Sequence, residues 1–149
     1  MFMKKLIFSF IVLNGLLLGA CRAPSGASEE RTVFDYKNTF VGDNSSIGSL
    51  AAMLNVGTDG FSLSTGQAPY GITFRDSYLT REEVLYAAAV IFQTVVNADW
   101  VTFEELNADT TIFREEMDFY LEGQQFSTEN QLIDFLNEKT ARYGLPDFL

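Results

Sequence analysis

Histidine is absent from the 149 residues, and cysteine occurs once, at Cys21. Without histidine there is no Ser-His-Asp triad, no Cys-His pair and no histidine-ligated metal site. With one cysteine there is no intramolecular disulfide. Basic residues are scarce, 10 against 20 acidic, so a phosphate backbone would be repelled and nucleic-acid binding is not expected. Gly57, Gly60, Gly66 and Gly71 sit at expected turns, without the lysine or the strand-to-helix context of a Walker loop or dinucleotide fingerprint. No bound cofactor is expected.

Long apolar runs are also lacking, and the longest is confined to the N-terminus. Lys4 and Lys5 precede an apolar stretch from Leu6 to Ala20, broken by Ser9, Asn14 and two glycines and followed by Cys21. That is the layout of a secretory signal. Its 15 residues fall short of the roughly 20 that a helix needs to cross a bilayer. Leu18-Gly19-Ala20-Cys21 resembles the lipobox of bacterial lipoproteins. The resemblance implies cleavage between Ala20 and Cys21, a diacylglyceryl group on the Cys21 sulfur, and a protein held at the outer face of the cell membrane. Two acyl chains anchor stably where one binds reversibly.

Removing residues 1–20 leaves 129 residues, enough for one domain. This part carries 8 basic and 20 acidic residues, a formal charge of −12. Residues 21–30 are small, polar and turn-forming, as in a flexible tether. The remainder, 31–149, is read as a single extracytoplasmic domain.

Within it, the residues from Thr32 to Val41 have no clear period. Gly42-Asp43-Asn44-Ser45-Ser46 predicts a helix start, with Ile47, Leu50, Ala51 and Leu54 as its buried stripe and Gly57 as its end. Phe61 and Leu63, then Tyr70, Ile72 and Phe74, alternate with polar or small residues around Gly66-Gln67-Ala68-Pro69, predicting a hairpin. Thr80 and Glu83 form a capping box for a long helix through about Ala98, whose broad apolar face is expected to centre the core. Trp100 to Phe103 and Thr110 to Phe113 predict a second hairpin. Arg114 to Leu121 predicts a short helix buried on Met117, Tyr120 and Leu121, and Thr128 with Gln131 opens a last helix stopped by Gly144. No strand–helix–strand repeat demands a parallel sheet, so the expected class is α+β, with a four-stranded, mostly antiparallel sheet packed against the long helix.

Carboxylates are the chemistry that remains, in the doublets Glu82-Glu83, Glu104-Glu105 and Glu115-Glu116. Neighbours in a helix or strand point apart, and acids in a helix's first turn favour its dipole, so the doublets read as structural rather than as a glycosidase pair. Asp43 and Asn44 are oxygen ligands without the spacing of a calcium loop. No catalytic or metal site is assigned. Tyr36, Phe40, Asn44, Tyr70 and Trp100 are the candidate binding residues, with Tyr78 beside them, because aromatics near turns and strand ends mark interfaces when exposed.

The run Tyr36-Lys37-Asn38-Thr39-Phe40-Val41-Gly42-Asp43-Asn44-Ser45, then Leu50, Phe61, Leu63, Thr65 and Pro69-Tyr70-Gly71-Ile72, resembles an uncharacterised extracytoplasmic domain of Firmicutes, a domain of unknown function found in small lipoproteins. Arg114-Glu115-Glu116-Met117 has a fainter similarity to the same family. Related domains are appended to membrane metallopeptidases of the beta-lactam-sensor type, which implies a sensing or partner-binding role and assigns no catalytic residue. The run from Thr39 to Ser45 is read first as the lead into a capped helix. The functional expectation is a noncatalytic, lipid-anchored envelope protein of Gram-positive type, acting as an interaction or sensing module with an envelope protein as partner. The rivals are a small solute- or peptide-binding lipoprotein and a carboxylate-dependent cell-wall hydrolase.

Overall fold

The computed structural model describes residues 31–149 apart from Asp76, Leu106 and Asn107. Ala20, Cys21 and the tether lie outside the described residues. The described chain begins with a single 3-10 turn, Val33–Tyr36, and continues through helix α1 (Asn44–Leu54), strands β1 (Phe61–Ser64) and β2 (Gly71–Phe74) and helix α2 (Arg81–Thr94). Strands β3 (Trp100–Phe103) and β4 (Thr110–Phe113) and helices α3 (Arg114–Tyr120) and α4 (Glu129–Tyr143) complete it.

Three helix starts follow the local chemistry predicted for them. Asp43 accepts from the Ser46 N–H at 3.0 Å. Thr80 and Glu83 cap reciprocally at 3.2 and 2.7 Å, and Thr128 and Gln131 do so at 3.3 Å in each direction. Each pair satisfies first-turn donors that the helix itself leaves unpaired. The helix stops are less local. Helix α1 ends on Asn55, which takes the left-handed conformation (φ 54°), two residues before the expected Gly57. Gly57 serves the next turn instead: at φ +64° an added Cβ would stand 2.8 Å from the Gly60 carbonyl oxygen.

Helix α2 stops at Thr94 rather than near Ala98, because tertiary partners take over the backbone there. Val95 turns extended and bridges to Thr39, with the Thr39 N–H on the Thr94 carbonyl at 3.1 Å and the Val96 N–H on the Thr39 carbonyl at 2.9 Å. The Arg114 guanidinium donates to the carbonyls of Phe92, in the last turn of α2, and of Val95 and Ala98 in the segment that follows it. It thus binds both a carbonyl the helix end leaves open and the chain leading to β3.

The sheet runs in the order β1-β2-β3-β4. The outer pairs are antiparallel and the central pair, β2 with β3, is parallel. The two expected hairpins are present, yet the helix between them makes a β–α–β crossover, which the sequence reading did not anticipate. A 14-residue helix is long enough for such a return, which needs a dozen or more residues. The fold is α+β on a mixed sheet.

One sheet face, carrying Phe61, Leu63, Ile72, Phe74, Val101, Phe103 and Ile112, turns to the core. Phe74 and Phe103 stack across the central pair with centroids 5.7 Å apart. Helix α2 is buried from Val84 to Thr94, as expected of a helix apolar around most of its circumference. Within that span the Gln93 side chain bonds the Phe126 N–H at 3.0 Å and the Gln124 carbonyl at 3.1 Å, tying down the α3–α4 loop. The opposite sheet face carries Ser62, Ser64, Thr73, Thr102 and Thr111 with Trp100 and Phe113, all exposed or half-buried. The Trp100 indole lies across Gly71, where an added Cβ would come within 2.0 Å of it.

Candidate functional site

The five sequence candidates form two groups on different elements. Tyr36 ends the 3-10 turn, half-buried, its hydroxyl held below the usual phenol range by hydrogen bonds with Ser49 and Arg31. Phe40 is 58% exposed, and the exposed Val96 follows the residue that bridges to its neighbour Thr39. Asn44 is the exposed first residue of α1, and the cap is Asp43, whose carboxyl Ser46 holds below its ordinary range. The second group is Tyr70 and Trp100. The Tyr70 N–H donates to the Asp99 carboxylate at 2.6 Å and its carbonyl accepts from the Asp99 N–H at 2.8 Å. That exchange aligns the starts of β2 and β3. Trp100 covers Gly71, and Tyr78 is exposed in the segment ahead of α2. Tyr70 and Trp100 thus have structural duties, and of the aromatic candidates Phe40 and Tyr78 stand out in solvent.

Of the acidic doublets, Glu82-Glu83 and Glu115-Glu116 occupy the first turns of α2 and α3 as expected. Glu83 and Glu116 are committed to capping, the latter accepting from the Phe113 N–H at 2.9 Å. Among the described residues no three ligating side chains lie close enough together to hold a metal ion.

The structure also forms a concavity away from the five candidates, at a place where the sequence reading weighs only the Glu115-Glu116 doublet. A cleft of about 810 Å³ opens between α3 and the end of the chain. Glu115, Glu116, Phe119 and Tyr120 form one wall, and Lys139 of α4 with Pro146, Asp147 and Phe148 forms the other. Phe148 meets the Tyr120 ring edge-on at 6.0 Å, so the floor is aromatic. None of the five candidates lines it.

The electrostatics of the cleft follow from how Lys139 is used. Its ammonium donates to the Tyr120 carbonyl, pairs with Glu122 at 2.8 Å, and sits over the rings of Tyr120 and Phe135. The positive charge is therefore spent on holding α4 to the end of α3. Glu115, Glu116 and Asp147 have no ion-pair partner among the described residues. An adjoining depression lined by Pro69, Asp99, Phe113, Arg114, Glu115 and Asp118 shares Glu115 and continues the acidic rim toward the sheet. Burial lowers the pKa of Arg114, whose guanidinium points at main-chain carbonyls rather than outward.

Phe119 is 87% exposed, an orientation that costs the isolated domain apolar contact with water. A signal for it was present in the sequence. Met117, Tyr120 and Leu121 define the buried side of α3, and Phe119 falls off that stripe.

Together these features define a small α+β domain on a mixed four-stranded sheet, with an open, acid-rimmed aromatic cleft. Residues 33–119, more than half of the chain, match the model of a family described as a domain of unknown function (DUF4825), and the chain belongs to that family. The matched span includes the Tyr36 to Ser45 and Pro69 to Ile72 runs and the Arg114 to Met117 segment. Neither curated protein sequences nor solved structures give a match to this chain.

Proposed function

We propose that this protein is a noncatalytic, lipid-anchored module of a Gram-positive cell envelope that binds a protein partner through the cleft between α3 and the chain's end. The observation that carries the reading is Phe119, a large aromatic side chain held 87% in solvent at the rim of a cleft with an aromatic floor. Exposed aromatics at the edge of a concavity are what interface anchors look like in the unbound state. The signal-like segment ending in Cys21 and the polar stretch after it support presentation outside the membrane.

The solute-carrying alternative is the poorer fit, since Glu115, Phe119 and Asp147 are exposed and a small ligand would stay in contact with water. A hydrolase would need two carboxylates at glycosidase spacing across a sugar site; of the three in the cleft Glu116 already accepts the Phe113 N–H, and Glu115 and Asp147 are exposed to water.

Two experiments divide the reading. Metabolic labelling with a palmitate analogue should mark the native protein and not a Cys21→Ala form; equal labelling would remove the anchor. A photoreactive residue at position 119 should capture one envelope protein in living cells, while the same residue at the exposed position 78 should not. Equal capture at both would leave the cleft with no role.

A further inference from the structure

Resting on the partner-binding reading above, we propose that the occupant of the cleft is a basic, amphipathic peptide segment of the partner. Its cationic side chains would face Glu115, Glu116 and Asp147, and an apolar side chain would insert against Phe119 and Phe148. Charge selects this chemistry. The three carboxylates have no ion-pair partner among the described residues, and the one cation in the cleft is turned to Glu122. The rim gains Asp99 and Asp118 through the adjoining depression, and the whole chain carries a net charge of −10. An acidic or phosphorylated segment would meet net repulsion here, since Lys139 is paired with Glu122 and Arg114, which lines the depression, is turned to main-chain carbonyls.

Charge alone would not require a cleft. The aromatic pair Tyr120 and Phe148 forms the floor, Phe119 stands at the rim, and a cleft of about 810 Å³ holds several side chains. An oligocation would satisfy the acids and leave the rings wet; a purely apolar segment would bury the rings and strand the carboxylates. Only a segment carrying both satisfies the two halves of the site. Electrostatic attraction would speed encounter, and insertion beside Phe119 would set residence.

The test uses the full chain in zwitterionic nanodiscs, with empty discs as the blank, and three fluorescent hexapeptides read by anisotropy. They are Lys-Phe-Lys-Lys-Leu-Lys, its counterpart with glutamate replacing lysine, and hexalysine. The first should bind, more weakly as salt rises, and the glutamate peptide should not. Phe119→Ser should weaken the first by about tenfold or more, the equivalent of removing one buried aromatic contact. That variant keeps the fold, because the side chain is exposed. The pair Glu115→Gln with Asp147→Asn should weaken binding about three- to tenfold and flatten the salt dependence.

Hexalysine binding as tightly as the mixed peptide, with no response to Phe119→Ser, would overturn the proposal in favour of diffuse attraction. Failure of the mixed peptide even at low salt would also overturn it. In that event capture of a single protein through position 119 in cells would keep the partner-binding reading alive, and no capture would end both.

Discussion

Arg114→Ala should destabilise the domain strongly, for a reason visible in its three bonds. The guanidinium donates to the carbonyls of Phe92, Val95 and Ala98 at 3.2, 2.6 and 2.6 Å and lies 5.1 Å from the centre of the Phe92 ring. It closes the C-terminal end of α2 and fixes the turn into β3. A hydrogen bond involving a charged group contributes about 1.5–3 kcal/mol. Three from one cation do not add fully, and desolvation of the guanidinium, which lowers its pKa, offsets part of the gain. The net loss should be about 3 kcal/mol, a large share of the roughly 5–15 kcal/mol that stabilises a domain.

Urea unfolding of residues 31–149, followed by circular dichroism, should show a midpoint lower by about 1–3 M at unchanged slope. Arg114→Lys, with a single ammonium unable to span three carbonyls, should lose about half as much. A loss under about 1 kcal/mol, or a lysine variant as stable as the native protein, would refute the pinning role. Either result would reopen Arg114 as a residue held for binding.

Three further outcomes follow from particular contacts. Gly71→Ala should push the Trp100 ring off the sheet, since the new Cβ would lie 2.0 Å from it. The expected cost is about 1–3 kcal/mol, with a red shift in the emission of this single tryptophan; unchanged emission would count against the packing described. Gln93→Leu should strand the Phe126 N–H and the Gln124 carbonyl at a cost of about 1–3 kcal/mol, visible as faster amide exchange at Phe126. Tyr86 is buried and donates to Glu129, and both burial and that carboxylate push its pKa far above the ordinary 10.0. The contribution is therefore intact below pH 10 and declines as pH rises beyond it, because the unfolded phenol ionises and the folded one does not. Tyr86→Phe should remove up to about 1.4 kcal/mol per pH unit of that alkaline slope; an identical slope in the variant would place the sensitivity elsewhere.

What the sequence made legible is what short range decides. The capping pairs Thr80 with Glu83 and Thr128 with Gln131 announce α2 and α4 because the bonds lie within one turn of chain. Trp100 to Phe103 and Thr110 to Phe113 alternate because one side of each strand is buried, and the structure places both strands at those residues. The end of α2 was not legible, since Val95 to Ala98 continue the apolar pattern and only Thr39 and Arg114, distant in sequence, divert the backbone. The parallel central pair was hidden for a related reason. Hairpin–helix–hairpin order is compatible with either orientation until the crossover is packed, and local pattern carries no information about that packing. Among candidate site residues, aromatics near turns point to the sheet and to the lead into α1, where the Tyr70 backbone bonds Asp99 and the Trp100 ring covers Gly71, and not to the cleft. The cleft joins α3 to residues about thirty positions later, a proximity that only the fold creates.

That proximity also divides the molecule in a way that bears on specificity. The family match runs from residue 33 to residue 119, and so takes in the sheet, α2 and the wall of the cleft bearing Glu115, Glu116 and Phe119. The opposing wall, Lys139 with Pro146 to Phe148, and the floor residue Tyr120 come from chain beyond the match. Lys139 joins the two parts by bonding Tyr120 and Glu122 at the end of α3, and Arg81 holds the Leu149 carbonyl at 2.8 Å, so the last segment is seated on the scaffold at both of these points. A partner reading both walls would therefore read side chains from inside and outside the matched span. On the proposed function, the matched part supplies the wall with the exposed Phe119, and the segment after α4 supplies the Asp147 charge and the Phe148 ring against which the basic segment would fit.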